Sequence, residues 1–320
     1  MEKEILKYIE KYQTIIVHRH KEPDLDAFGS QLGLYEVIKE NYPNKNVYVV
    51  GDLNRYPYDI QMDEISDETY QGALAFILDT SVDYLVSDER YKLAESLIIF
   101  DHHLNETNLT PNLFYHQTNR ISCSEMVAEF AIKNGLKINL NAAKYMFAGI
   151  IGDSGRFQYI NHETGPHALY ISSELMKHPI DIKELYNFLY LEPLERRLVK
   201  NKFADFNLSP NNVAYRFNTN EMIKASGLEF ASVSRGMVNG MAGIKEVPIW
   251  ANFSENDEGK VIAELRSRDI PIVDIAKKYG GGGHLLACGA TLKSFDEAKK
   301  MIEDLDERIV EHGKNTKDNL

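Results

Sequence analysis

A set of aspartates and histidines falls where short apolar runs stop. The run TIIV (14–17) leads into His18-Arg19-His20-Lys21-Glu22-Pro23-Asp24-Leu25-Asp26, LAFIL (74–78) ends at Asp79, and LIIF (97–100) ends at Asp101-His102-His103. Another acid, Asp153, follows the apolar segment YMFAGIIG (145–152) and precedes Ser154-Gly155. Brought together, Asp24, Asp26, Asp79 and Asp153 would repel one another, since two bare carboxylates ~4 Å apart cost about 4 kcal/mol at an effective dielectric of ~20. Two divalent cations would balance the four carboxylates, with His20 and His102 as neutral nitrogen ligands. Mixed carboxylate and imidazole ligands suit Mn²⁺ better than a thiolate-seeking ion. A pair of such ions ~3.5–4 Å apart supports in-line displacement at phosphorus. Taken singly, an Asp-x-Asp is a solvated turn, a His-His pair satisfies local hydrogen bonds, and Asp79 reads as a helix N-cap. Recurrence of the pattern at the ends of several runs is what argues for a metal centre.

Such residues need a scaffold that delivers them to one edge. TIIV, VYVV (47–50), LAFIL and LIIF are short, apolar and rich in β-branched or aromatic residues, the mark of strands buried on both faces of a parallel sheet. Between the first two, residues 27–40 place Phe28, Leu32, Tyr35 and Ile38 at helical spacing, which predicts a crossover helix. The spacing predicts further helices over 122–134 and 140–151 and two more within 164–190. Strand–helix–strand order implies an α/β, parallel, doubly wound sheet domain, and in such open sheets ligands bind beyond the carboxyl ends of the strands.

After residue 190 the pattern changes. LEPLERRLVKNKFADF is a charged helical connector, SPNN (209–212) a turn, and VAYRF, VPIWANF and KVIAELRSR read as strands. A helix (271–279), a glycine loop, LLACGATL (285–292) and an amphipathic helix (295–311) follow, with the last nine residues expected to fray. The expected organisation is a sheet domain over 1–190, a connector over 191–212 and a smaller α+β domain over 213–315. The run Gly280–Gly283 before His284 is not a P-loop, because no Lys-Ser/Thr follows, but glycines let backbone amides approach an anion closely. Strand alternation points Arg266 and Arg268 to one face and Ser267 to the other, and arginine forks match phosphate oxygens. In Ser234–Gly240, Arg235 is a candidate for phosphate and Asn239 for a base or ribose edge. Phe157, Tyr159 and Trp250 are candidates for base stacking or for core.

The charge balance narrows the partners. With 36 Lys and Arg against 48 Asp and Glu, the net charge of the 320 residues is −12. That excludes gripping long duplex nucleic acid with the whole surface, but not a short anion at a cation-filled site. The N-terminus lacks a signal-peptide pattern, no apolar run approaches the ~20 residues of a membrane span, and Cys123 and Cys288 lack metal-ligand spacing. The expectation is a cytoplasmic protein with reduced thiols.

The set HKEPDLDAFGS (20–30), Asp79, Asp101-His102-His103 and GDSGRF (152–157) resembles the DHH phosphoesterase superfamily, and RSR (266–268) with GGGGH (280–284) resembles its DHH-associated C-terminal domain. Within it, the whole chain is similar to the nano-RNase/pAp-phosphatase branch. The resemblance implies one ion held by His20, Asp24 and Asp79 and another by Asp26, Asp79, His102 and Asp153. It further implies that Asp101 orients a histidine and that His103 reaches the scissile phosphate. Arg266, Ser267, Arg268, Gly281, Gly282, Gly283 and His284, with Arg235 and Asn239, would bind substrate. The implied activity is Mn²⁺-dependent hydrolysis of very short oligoribonucleotides to mononucleotides and of the 3′-phosphate of pAp, with a homodimer expected by analogy. The alternatives are a phosphodiesterase for linear or cyclic dinucleotides (pApA, c-di-AMP), a RecJ-like exonuclease, a family II pyrophosphatase and a catalytically silent nucleotide sensor.

Overall fold

The computed structural model describes residues 1–52, 61–104 and 106–317, with side chains to residue 313. The chain forms two compact units, Met1–Tyr190 and Leu191–Leu320.

The first unit begins with α1 (Glu2–Lys11), β1 (Thr14–Arg19), α2 (Leu25–Asn41) and β2 (Asn46–Val49). It continues with β3 (Leu74–Leu78), β4 (Ser96–Asp101), β5 (Leu113–His116), α3 (Cys123–Lys133), α4 (Leu140–Asp153), α5 (Gly165–Leu175) and α6 (Ile182–Tyr190). The strands form one parallel sheet in the order β2-β1-β3-β4-β5. Every residue of β3 is buried, as continuous apolar runs in a two-sided sheet require. One face carries α1 to α5, with Ile5, Phe28, Met126, Phe130 and Met146 packed on Val17, Phe76 and Phe100. The other face, with Ile16, Ala75, Ile77 and Ile99, is covered by short 3-10 turns that bring in Tyr70 and Tyr91. Strand β5 escaped the sequence reading because LFYH is four residues long, borders one strand only and alternates too briefly to show a period.

The strand order reverses between β1 and β3. In open parallel sheets this is where neighbouring connections leave in opposite directions and open a crevice. His20, Asp24 and Asp26 follow β1, and Asp79 follows β3.

The second unit holds α7 (Leu194–Asn201), β6 (Asn207–Leu208), β7 (Val213–Asn218), α8 (Asn220–Ser226), α9 (Phe230–Ser234), β8 (Ile249–Glu255) and β9 (Val261–Ser267). Then come α10 (Val273–Lys278), β10 (Gly282–Gly283), β11 (Ala287–Leu292) and α11 (Phe295–Lys317). Its mixed sheet runs β10-β11-β9-β8-β7-β6, with only β7 and β8 parallel. Helices α10 and α11 cover one face through Phe253, Leu265, Ile275 and Met301. Trp250 lies in a small core on the other face with Ala214, Val238 and Met241, so it packs rather than offering a free ring. The last helix continues six residues beyond the expected end, to Lys317, and residues 318–320 lie outside the described residues.

Candidate metal centre

The aspartates after β1 are fixed by helix ends. Asp24 caps α2, its Oδ1 accepting from the backbone N–H groups of Asp26 (2.9 Å) and Ala27 (3.0 Å). Asp26, in the first turn of α2, is fully buried. Its carboxylate accepts from the N–H groups of Cys123 (2.6 Å) and Ser124 (2.8 Å) at the start of α3, where free amides and the helix dipole favour an anion. That helix start is itself capped reciprocally: Ser122 accepts from the Glu125 N–H (3.0 Å), and Glu125 reaches back to the Ile121 N–H (2.7 Å). Helices α2 and α4 come close enough that a Cβ on Gly149 would sit 2.0 Å from Ser124 Oγ and 2.8 Å from Asp26 Oδ1.

Asp79 ends β3 in a left-handed conformation, φ 62°, with its N–H on the Phe100 carbonyl at 3.0 Å. A non-glycine residue held there is strained by the order of 1 kcal/mol, and the strain turns its carboxylate back over the strand ends. His20 Nε2 lies 3.4 Å from Asp79 Oδ2 and 3.8 Å from Asp24 Oδ1. His102 Nε2 lies 3.2 Å from Asp79 Oδ1, 3.3 Å from Asp153 Oδ2 and 3.8 Å from Asp26 Oδ2. His20, Asp24 and Asp79 thus form one group with metal-ligand spacing, and Asp26, His102 and Asp153 form another. Asp79 touches both.

The site's charges are poorly balanced by protein alone. Burial, then the neighbouring Asp79 and Asp153, push the Asp26 carboxyl well above the ordinary range. Burial likewise lifts Asp153 to about 6 against the opposing pull of His102. Burial disfavours charge on His20 and His102, but the surrounding carboxylates prevail and raise each to about 11. Asp79 Oδ1 and His102 Nε2 are buried 3.2 Å apart, and neither makes a well-aligned hydrogen bond among the described residues, which native interiors rarely leave uncompensated. A divalent ion in each group would engage both atoms, so the donor set fits the metal pair.

His103 joins Asp79 and His102 in a further group with metal-ligand spacing, its Nδ1 3.8 Å from Asp79 Oδ1. Its Nδ1–H is directed at Asp101 Oδ1 (2.7 Å), and its backbone N–H donates to the same oxygen (3.2 Å). Hydrogen bonding to Asp101 raises the His103 pKa, and Nε2 is left for a ligand. A residue the sequence reading missed supports it: His116 Nε2–H donates to the His103 carbonyl (2.6 Å), its ring stacked on Phe114. A cavity of about 260 Å³ is lined by His20, Asp24, Asp79, Thr80, Leu85, Asp101 and His103. His18 is fully buried near Tyr70 and Tyr91, and burial lowers its pKa to about 4, as a core residue. Arg156 lies over the Tyr190 ring at 5.6 Å.

In the second unit the candidates separate. Arg266 is half-buried, pairs with Glu264 Oε2 (3.2 Å) and lies opposite Ala287 in the sheet. Strand β10 borders β11 next, which puts Gly283 and the exposed His284 two strands from Leu265. A Cβ on Gly281 would approach the Gly289 carbonyl oxygen to 2.0 Å, and one on Gly283 the Cys288 Cα to 2.7 Å, whereas Gly282 has open space. Ser267 is buried on the opposite face and accepts from the Ile270 N–H (2.9 Å). Arg268 lies past the strand end, with its fork on the carbonyls of Ile244 (2.6 Å), Lys245 (3.2 Å) and Val247 (3.2 Å). Arg235 and Asn239 are exposed near α9.

The family model for the N-terminal domain of the DHH family matches residues 14–150, and that for the DHHA1 domain matches 226–311. The bifunctional oligoribonuclease and PAP phosphatase NrnA of Bacillus subtilis is 36% identical over 319 residues, covering 98% of this chain and 100% of that protein. The probable counterpart from Streptococcus mutans is 37% identical over 305 residues, 95% of this chain and 97% of its own. Among solved structures, an exopolyphosphatase-related protein from Bacteroides fragilis superposes with a TM-score of 0.80 at 26% identity, covering 96% of this chain and 95% of the other. Strand-end acids meeting at Asp79, a DHHA1 domain later in the sequence and full-length similarity agree, and the chain belongs to the DHH phosphoesterase superfamily, in its NrnA-like branch.

Proposed function

We propose that this protein is a metal-dependent phosphoesterase that hydrolyses very short oligoribonucleotides to mononucleotides and removes the 3′-phosphate of pAp. The observation that carries the reading is the meeting of ligand-spaced groups on Asp79, whose Oδ2 faces His20 and whose buried Oδ1 faces His102. His20, Asp24 and Asp79 would hold one ion and Asp26, Asp79, His102 and Asp153 the other, with Mn²⁺ the best match to this ligand set. Bound there, the pair supplies Lewis-acid stabilisation of phosphoryl charge and a nucleophile available at neutral pH.

The chain's own residues do the rest. The α3 amides keep Asp26 in place, with His102 as its nearest imidazole. Asp101 orients the His103 ring by accepting from Nδ1–H, and its negative charge favours the imidazolium, whose Nε2–H can then donate to a phosphate oxygen and stabilise charge developing on it. Arg266, the amides of the Gly281–Gly283 turn and His284 are assigned to an anionic group of the substrate. Ser267 and Arg268 serve by holding the strand end and the 244–247 loop, and Arg235 and Asn239 would contact the nucleoside. No helix among the described residues is long and apolar enough to cross a membrane, and both cysteines are free and buried, in keeping with work in the cytoplasm.

The test is product release from pAp, pApA, cyclic di-AMP and RNA of two to twenty nucleotides, with and without Mn²⁺. Mn²⁺-dependent turnover of pAp and of the shortest RNAs, falling with length, is expected. Turnover confined to dinucleotides, or unaffected by chelation, would overturn the reading.

A further inference from the structure

Outside the ligand groups, one carboxylate gathers three separate segments. Asp52 follows β2 and its side chain is 41% exposed, yet it is the partner of the fully buried Arg19. Arg19 Nη1–H donates to Asp52 Oδ1 (2.8 Å) and to the His20 carbonyl (3.1 Å), and Nη2–H to the Asp52 carbonyl (2.7 Å). Ser87 Oγ–H donates to the Asp52 carboxylate and accepts from the Asp52 N–H (2.7 Å). The Ser87 N–H in turn donates to the Arg19 carbonyl (2.9 Å), and His20 bridges to Val86. Gly51 (φ 140°) permits the approach, since a Cβ there would lie 3.0 Å from Ser87 Oγ and 3.2 Å from Arg19 Cζ.

The other oxygen, Asp52 Oδ2, accepts from the Glu22 N–H (2.9 Å). Glu22 has φ 49°, a conformation that needs outside support in a non-glycine residue. The carbonyl on the same peptide plane, that of Lys21, accepts from His20 Nδ1–H at 2.7 Å. A carboxylate salt-bridged to the buried Arg19 is thereby linked through one peptide group to the imidazole whose Nε2 faces Asp79 and Asp24. From this arrangement we infer that Asp52 is a positioning residue: by fixing the Lys21–Glu22 peptide it sets the tautomer and direction of His20, and so governs the His20–Asp24–Asp79 cation site and not the Asp26–His102–Asp153 site. Outer partners of metal-bound histidines commonly change metal affinity by about 10- to 100-fold.

The inference rests on the metal reading above, and its test separates the two. Metal-free full-length protein is titrated with Mn²⁺ by calorimetry, with His20→Ala marking which of two binding steps belongs to the His20 group. In Asp52→Ala that step weakens about 10- to 100-fold while the other stays within about twofold, and hydrogen exchange shows the Glu22 amide losing its protection without any metal present. Asp52→Asn keeps one acceptor oxygen and shifts the same step less, and it serves if the alanine variant fails to fold once the carboxylate beside Arg19 is gone. Equal weakening of both steps, or an unchanged His20 step with Glu22 deprotected, overturns the positioning role. Wild-type protein that takes up no ion sinks the metal reading itself, whatever happens at Glu22.

Discussion

The rim of the first unit and the glycine turn of the second are built on opposite plans. At the rim, each ligand side chain is immobilised by a strand end, a helix cap or a pair of backbone amides, and the result is a surplus of one charge that the protein leaves unbalanced. At the turn, Arg266 has its counter-charge in Glu264, and the approach to an anion is by backbone, kept open because Gly281 and Gly283 cannot carry a Cβ. The first plan gathers carboxylates that a cation would balance. The second leaves backbone open to an anion. On the function proposed above, the former would carry the chemistry and the latter the selection, and variants can pull the two apart.

The widest separation is expected from Asp79→Ala, which removes the carboxylate common to both ligand groups. Turnover of pAp should fall at least ~10³-fold with the far-ultraviolet circular dichroism unchanged, and residual turnover above a tenth of wild type would break the comparison. Arg266→Ala should act on KM, lowering kcat/KM about 10- to 100-fold for the loss of one charge-assisted contact. A kcat effect with constant KM would move Arg266 into the chemical step.

A milder test uses pH in the metal-free protein. His20 and His102 are raised from 6.5 to about 11, so the stability they contribute is complete below pH 6.5 and is lost as pH rises toward 11. Thermal unfolding in chelator should give a Tm that drops between pH 6.5 and pH 9, and saturating Mn²⁺ should flatten the drop because ligated imidazoles are neutral. An equal drop in Asp79→Asn would show that its source lies elsewhere. The smallest effect belongs to Arg268→Ala: kcat/KM within about twofold of wild type, and a stability loss of about 1 kcal/mol from its carbonyl contacts, read by urea unfolding. A large rise in KM would place its fork on substrate after all.

What the sequence made legible follows from periodicity. Apolar runs that break at an acid or a histidine locate strand ends, so His20, Asp24, Asp26, Asp79 and Asp101 to His103 could be placed at one edge before any coordinates. Alternation also separated Arg266 from Ser267 correctly. Tertiary causes were not visible. Nothing adjacent to Asp26 announces that α3, a hundred residues on, supplies its two amides, although the Ser122-x-x-Glu125 cap was there to be read. Asp52, after a glycine, looks like any turn residue, since its partners Arg19, Glu22 and Ser87 come from two segments distant in sequence. Arg268 lies one residue past the strand, where alternation stops predicting direction, and the four residues of β5 are too few to carry a period.

The close crossing at Gly149 has an evolutionary corollary. Because the backbone of α4 shares its contact surface with Ser124 and the Asp26 carboxylate, even a single added methyl group there would shove a ligand aside. The position of the Asp26 carboxylate is therefore not an adjustable property of surface loops but a dimension of the interior, fixed for any chain that keeps this helix crossing.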